Sequence, residues 1–175
     1  MTEGSMEESL MKFRSGLSIH PAQMEAIENN LTALLDAIPA RMILLVDTSG
    51  QLVSAVGEMR GIDTTGLGSL IAGDLAASQE IARLTGEFQE FQMILREGER
   101  SHLIISEAGH HLIFMAQFSR DVPLGWARKL IQKTAASIKE ITSQPMETPE
   151  QLTSGVMGGD LPDLFSDALD DIWKG

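Results

Sequence analysis

Apolar residues first recur at helical spacing between Met24 and Ile38. Met24, Ile27, Leu31, Leu34, Leu35 and Ile38 stand mostly three and four apart, which aligns them on one helical face. Pro21 is well placed in the first turn, and Pro39 closes the segment. The next apolar run, Met42 to Val46, is too short for a helix. Asp47-Thr48-Ser49-Gly50 follows it, and then Leu52, Val53, Ala55 and Val56. Strand, tight turn, strand is the economical reading, with Asp47 bonding the turn backbone and Gly50 at positive φ.

Helical spacing returns after Ile62. Asp63 or Thr64 can cap the helix start, Leu67, Leu70, Ile71, Leu75 and Ala82 form its expected apolar face, and Gly86 can stop it. Three strand-like runs come next: Phe91 to Leu95, Ser101 to Ser106 and His111 to Phe118. Their links, Glu97-Gly98-Glu99 and Glu107-Ala108-Gly109, are short and contain glycine, which predicts an antiparallel meander. A hairpin centred on Ala108 would place His102 opposite Phe114. Pro123 precedes a last helix over roughly 124–141, with Leu124, Leu130, Ile131, Ala135 and Ile138 facing a core and Arg128, Lys129, Lys133 and Lys139 in water. The order helix, two strands, helix, three strands, helix predicts an α+β domain: one five-stranded antiparallel sheet with helices on both faces.

The pattern changes at both ends. Residues 1–20 mix Glu, Ser, Gly and scattered apolar side chains, and a flexible lead-in is expected there, before a domain spanning 21–141. Residues 142–159 carry Pro145, Pro149, Gly155, Gly158 and Gly159 and read as a linker. Within 160–174, Leu161, Leu164, Phe165, Ala168, Leu169 and Ile172 fall at i, i+3, i+4, i+7, i+8 and i+11. That is a helical stripe, with Asp163, Asp167, Asp170 and Asp171 on the other side.

Charge and composition narrow the function classes. The net charge of −12 repels nucleic-acid phosphate and anionic lipid. Half of it comes from residues 142–175, where seven acidic side chains meet only Lys174. There is no cysteine, so no disulfide framework and no thiolate zinc site. The first ten residues lack the basic and apolar regions of a signal peptide, and no apolar run nears the roughly 20 residues that span a bilayer. A cytoplasmic protein without membrane insertion is the simple expectation.

Candidate chemistry is thin. Asp47-Thr48-Ser49-Gly50 superficially resembles an aspartic-protease triplet, but such a site needs two carboxylates sharing a proton. His110 and His111 are neighbours on a strand-like run and would point to opposite faces. Gly66-Leu-Gly68 fails as a phosphate-binding fingerprint because the third glycine position is Ile71. No catalytic residue, metal ligand or cofactor site is assigned, and the chain is expected not to be an enzyme.

Two surfaces stand out instead. The outer face of the second helix carries Ser69, Gly73, Ala76, Glu80 and Arg83, bordered by Ala72 and Ala77. Solvated helix faces usually carry long polar side chains. Small ones either relieve crowding inside the protein or let another chain approach closely. The tail stripe, Leu161, Leu164, Phe165, Leu169, Ile172 and Trp173, is the second. An isolated helix of that length is marginal in water. It either folds back on its own domain or enters a partner groove through i, i+3, i+4, i+7 anchors.

Leu44-Leu-Val-Asp-Thr-Ser-Gly-Gln-Leu-Val53, Gly57, Gly61-Ile-Asp-Thr-Thr65, Ser69-Leu-Ile-Ala-Gly73 and Ala76-Ala77 resemble the roadblock family, and within it the bacterial MglB-type group. The likeness is specific from about 43 to 86, looser to about 141, and extends to the acidic tail. It implies a roadblock/longin-like fold. It also implies a homodimer in which the edge strand here formed by Phe91, Gln92, Met93, Ile94 and Leu95 pairs across the two-fold. The implied partner is a Ras-like small GTPase of the MglA type, in bacterial cell polarity or motility. Its GTP hydrolysis would be accelerated by favouring the active conformation, without an arginine finger. Arg60 and Arg83 are the arginines near the implied contact, and the resemblance gives neither a finger role. It places the GTPase contact on Ser69, Ala72, Gly73, Ala76, Ala77, Glu80 and Arg83, with the tail helix as a separate contact. Glu80 departs from a relative in that group, which has glycine there. The alternative is a dimeric scaffold that binds a GTPase or another protein without changing hydrolysis.

Overall fold

A computed structural model describes residues 10–87 and 92–144. A two-stranded hairpin, β1 (Met11–Lys12) and β2 (Ser18–Ile19), leads into α1 (Pro21–Ala37), β3 (Ala40–Asp47), β4 (Leu52–Gly57), α2 (Thr64–Thr85), β5 (Met93–Glu97), β6 (Ser101–Glu107), β7 (Leu112–Ser119) and α3 (Leu124–Ser143). β3 to β7 form one antiparallel sheet in the order β4-β3-β7-β6-β5. This is the five-stranded architecture that the pattern predicts.

The run Met42 to Val46 is apolar throughout because β3 lies inside the sheet and both its faces are covered. Ile43 and Leu45 join the core beneath α1 and α3, with Ile27, Leu31, Phe114, Phe118, Ile131 and Ile138. Met42, Leu44 and Val46 turn the other way and pack with Ile71 and Leu75 of α2 and with Ile105, Ile113 and Met115. Among the described residues two helices therefore cover one face and a single helix covers the other.

Local chemistry sets the helix ends. The Gln23 side chain accepts the His20 N–H (2.9 Å) and donates to the Ile141 carbonyl (2.8 Å), tying the start of α1 to the last turn of α3. The Asp63 carboxylate caps α2 by accepting the Gly66 N–H at 3.0 Å. Gly86 ends α2 at φ 76°, and its N–H reaches the Ala82 and Arg83 carbonyls.

Asp47 is the polar knot of the domain. One carboxylate oxygen accepts the Ser49 N–H (3.0 Å), the Ser49 hydroxyl (2.6 Å) and the Gln51 N–H (2.8 Å). The other accepts the Ser15 N–H at 3.1 Å. Burial alone would raise its pKa, but the hydrogen bonds from Ser49, Gln51 and Ser15 outweigh that and hold it below its ordinary value.

Three sequence expectations need correction. Residues 11–19 are not a flexible lead-in. They form the β1–β2 hairpin, whose Ile19 is fully buried and whose Phe13 and Leu17 pack on the α1/α3 core. The Ser15 bond to Asp47 and the Arg14 N–H bond to the Gln51 side chain (3.2 Å) hold it on the β3–β4 turn. His102 lies opposite Phe118, not Phe114, because the β6–β7 connection spans 108–111 rather than centring on Ala108. Its ring is buried and meets Phe118 edge to face at 5.9 Å. Leu70, placed on the buried face of α2, is 72% exposed. One residue is a 100° turn on a helix, and that turn carries Leu70 away from Ile71, towards the β5 edge where the sheet ends.

Candidate partner-binding surface

Among the described residues α2 lies alone on its face of the sheet. Gly68, Ile71, Ala72 and Leu75 point inward. Gly68 has to be small: a Cβ there would stand 2.4 Å from the Gly50 carbonyl oxygen, where the start of α2 meets the β3–β4 turn. The Gly66-Leu-Gly68 element is thus a capping and packing device. Gly66 donates to Asp63, and Gly68 touches Gly50.

The outward residues differ. Ser69, Gly73, Ala76, Ala77, Glu80 and Arg83 are all exposed. A Cβ on Gly73 would meet nothing within 4 Å. Crowding among the described residues therefore does not explain why Gly73 is small, whereas it does explain Gly68. Ala72 is corrected: it is buried with Ile71 and Leu75, because its side chain turns to the sheet side of the stripe. Glu80 and Arg83 form an exposed ion pair at 3.1 Å, one helical turn apart. Arg60 is exposed just ahead of α2.

Beside the small residues runs a second, apolar stripe that sequence reasoning missed. Leu70, Ala77, Ile81 and Leu84 recur at heptad-like spacing, and Leu70, Ile81 and Leu84 are 72%, 62% and 80% exposed. These three are most of the five large apolar side chains exposed among the described residues; Met11 and Trp126 are the others. The signal was available in the spacing 70, 77, 81, 84, but the same residues also fit a buried face. Leu70 borders a groove of about 500 Å³ between α2 and the edge of the sheet, lined also by Leu67, Gly73, Asp74, Arg96 and Leu103. Across it, Arg96 of β5 bonds Asp74 of α2 at 2.7 Å.

β5 is the outer strand on this side and pairs only with β6 among the described residues. Met93, Ile94 and Leu95 belong to it as expected. Gln92 lies just before it and bonds Glu107. Phe91 lies outside the described residues, as do the linker after Gln144 and all of the tail stripe from Leu161 to Trp173. His110 and His111 are both exposed in the β6–β7 connection. Gln79 of α2 hydrogen-bonds Glu107 beside that connection. Among the described residues no group of three or more His, Asp or Glu side chains is arranged to hold a metal ion, and no helix is long and apolar enough to cross a membrane.

A sheet of this order, with one helix on one face and two on the other, is the roadblock architecture, and the Roadblock/LC7 domain profile matches residues 26–118. The chain belongs to the roadblock family. Its fold is similar to solved MglB structures. Myxococcus xanthus MglB is 34% identical, with 66% of this chain and 94% of that chain covered and a TM-score of 0.63. The gliding protein MglB from Thermus thermophilus is 28% identical, covering 73% and 96%, with a TM-score of 0.65. An MglB with a tetrameric arrangement is also 28% identical, covering 71% and 93%, again at 0.65. No match was found among curated proteins.

Proposed function

We propose that this protein is a homodimeric regulator of a Ras-like small GTPase of the MglA type, and not an enzyme itself. It acts in the cytoplasm, in bacterial cell polarity or motility signalling. The observation that carries the reading is the outer face of α2: Gly73, Ala76 and Ala77 are exposed, and no internal contact requires Gly73 to be small. A flat face of this kind lets a partner's backbone approach closely. The class of partner is what the resemblance to the MglB-type group implies, and the likeness to solved MglB structures supports that resemblance.

In this reading the two stripes of α2 divide the work. Leu70, which borders the groove beside β5, and Ile81 and Leu84 on the same helical stripe suit a second copy of the chain, with β5 extending the sheet across the two-fold. Ser69, Gly73, Ala76, Glu80 and Arg83 remain available to the GTPase, with Ala77 at the border of the two stripes. The regulator binds the hydrolysis-competent conformation more tightly than the others, and that difference in affinity shifts the GTPase towards it. Arg83 is paired with Glu80 on the surface of the helix, and no finger role is assigned to it. The tail residues Leu161, Leu164, Phe165, Leu169, Ile172 and Trp173 form a second contact that affects nucleotide release.

The direct test is GTP turnover by the MglA-type GTPase of the same cell, measured with and without this protein. Faster turnover supports the reading. Tight binding with unchanged turnover would replace it with a dimeric scaffold. Deleting residues 160–175 is expected to leave the dimer intact and to change GTPase binding or nucleotide release. Unaltered behaviour in both assays would remove the tail from the account.

A further inference from the structure

On the opposite side of the sheet from α2, the end of α1 and the start of α3 enclose a groove of about 560 Å³. Ala37, Pro39, Val122 and Pro123 form its apolar walls, and Trp126 flanks it. Trp126 is 46% exposed. The neighbouring Ala127 and Ile131 provide the buried anchors of this part of α3, so the core does not account for the indole. A half-exposed tryptophan beside an apolar groove is the residue type most enriched where binding energy concentrates.

The charged side chains that line the groove are both acidic. Asp36 and Asp121 both line it. Asp36 sits in the last turn of α1, which carries no basic side chain. That end of a helix bears the negative pole of the macrodipole, so a carboxylate there adds to it instead of compensating it. Neither aspartate belongs to any ion pair among the described residues. Arg41 and Arg100 line a neighbouring groove that shares Pro39 and Ser119 with this one, and Arg41 is paired with Glu58 at 3.2 Å.

We infer that the groove beside Trp126 is a docking site for a basic segment of a partner protein, with an arginine stacked on the indole between Asp36 and Asp121. A guanidinium suits the place better than an ammonium because it is planar, weakly hydrated and stacks on aromatic faces while its edge bonds carboxylates. The site is on the α1/α3 side of the sheet, so it does not compete with a partner on α2.

The experiment uses the full chain carrying Trp173→Phe, which leaves Trp126 as the single tryptophan. Its fluorescence is followed while a capped hexapeptide with two arginines is added, and then the same peptide with citrulline in place of arginine. The arginine peptide is expected to give a saturable change, and the citrulline peptide to bind at least tenfold more weakly. By calorimetry, Trp126→Ala and the pair Asp36→Asn/Asp121→Asn are each expected to weaken arginine-peptide binding about tenfold. Glu25→Gln/Glu28→Gln, an equal charge change at exposed positions elsewhere on α1, is expected to leave it unchanged. No saturable binding, equal binding of the citrulline peptide, undiminished binding to Trp126→Ala, or an equal loss in the Glu25/Glu28 control would each overturn the inference.

Discussion

The two faces of the sheet are built from the same strands but finished differently. Under α1 and α3 the apolar residues of β3, β6 and β7 are sealed by two helices that also pack on each other, and the β1–β2 hairpin closes the margin with Ile19. Under α2 the same strands offer Met42, Leu44, Val46, Ile105, Ile113 and Met115 to one helix only. One helix cannot span five strands, since a helix is about 10 Å wide and strands stand nearly 5 Å apart. The uncovered remainder is the groove beside β5, and the helix itself carries Leu70, Ile81 and Leu84 outward. Among the described residues the α1/α3 face is the more fully sealed, and the α2 face is where the proposed GTPase and second copy act.

The comparison can be broken at its strongest point first. Phe114 is fully buried beneath α1 and α3, and Phe114→Ala is expected to cost roughly 3–5 kcal/mol, read as a lower denaturant midpoint. Leu70→Glu/Leu84→Glu on the other face is expected to change the stability of the isolated protomer by only about 0.5 kcal/mol per site. It should, however, weaken the homodimer by more than about 100-fold, since the dimer carries four such leucines and burying each contributes about 1.5–3 kcal/mol. Analytical ultracentrifugation reads that shift. A double variant that dimerises like the parent would separate the apolar stripe from the dimer.

Two glycines on one helix sharpen the contrast further. Gly68→Ala forces a Cβ onto the Gly50 carbonyl and is expected to destabilise by roughly 1–3 kcal/mol. Gly73→Ala adds its methyl to open space and is expected to stabilise by about 0.5–1 kcal/mol through helix propensity. Equal effects at the two positions would mean that the inner and outer faces of α2 have been misassigned.

The smallest expected effect is the pH dependence set by Asp47. Its folded-state pKa is below the ordinary 3.8. The stability it contributes is thus fully present above that unfolded-state value, and is lost as pH falls through it towards the lower folded value. Asp47→Asn should be less stable than the parent at neutral pH, and the gap should narrow as the pH falls below 3.8. Parallel stability curves down to about pH 2 would show that the carboxylate charge plays no part.

The main elements were legible in the sequence because helices and strands in this chain carry clean periodicities and marked ends. Asp63 and Gly86 bracket α2 as cap and stop, and Gly50 takes the positive φ its turn requires. Periodicity fails where tertiary structure decides. Leu70 fits the same helical spacing as Leu67 and Ile71, but its burial depends on where the sheet ends. The β1–β2 hairpin is too short to show a period. Its order comes from a bond between Ser15 and Asp47, far apart in sequence, and the alternation of Leu17 and Ile19 with polar neighbours was its one local trace. The exposure of Ser69, Gly73, Ala76, Ala77, Glu80 and Arg83 followed from helical spacing alone. The inward turn of Ala72 did not, because it sits at the border of the two faces.

The central claim is that the small-residue side of α2 meets a GTPase. Ala76 is exposed at the middle of that side, so Ala76→Arg adds bulk and charge where close approach is needed without disturbing the core. The decisive measurement is GTP turnover by the MglA-type GTPase of the same cell in the presence of this variant. Ala76→Arg is expected to stay folded and dimeric while stimulation and binding are lost. A variant that stimulates turnover as the parent does would contradict it.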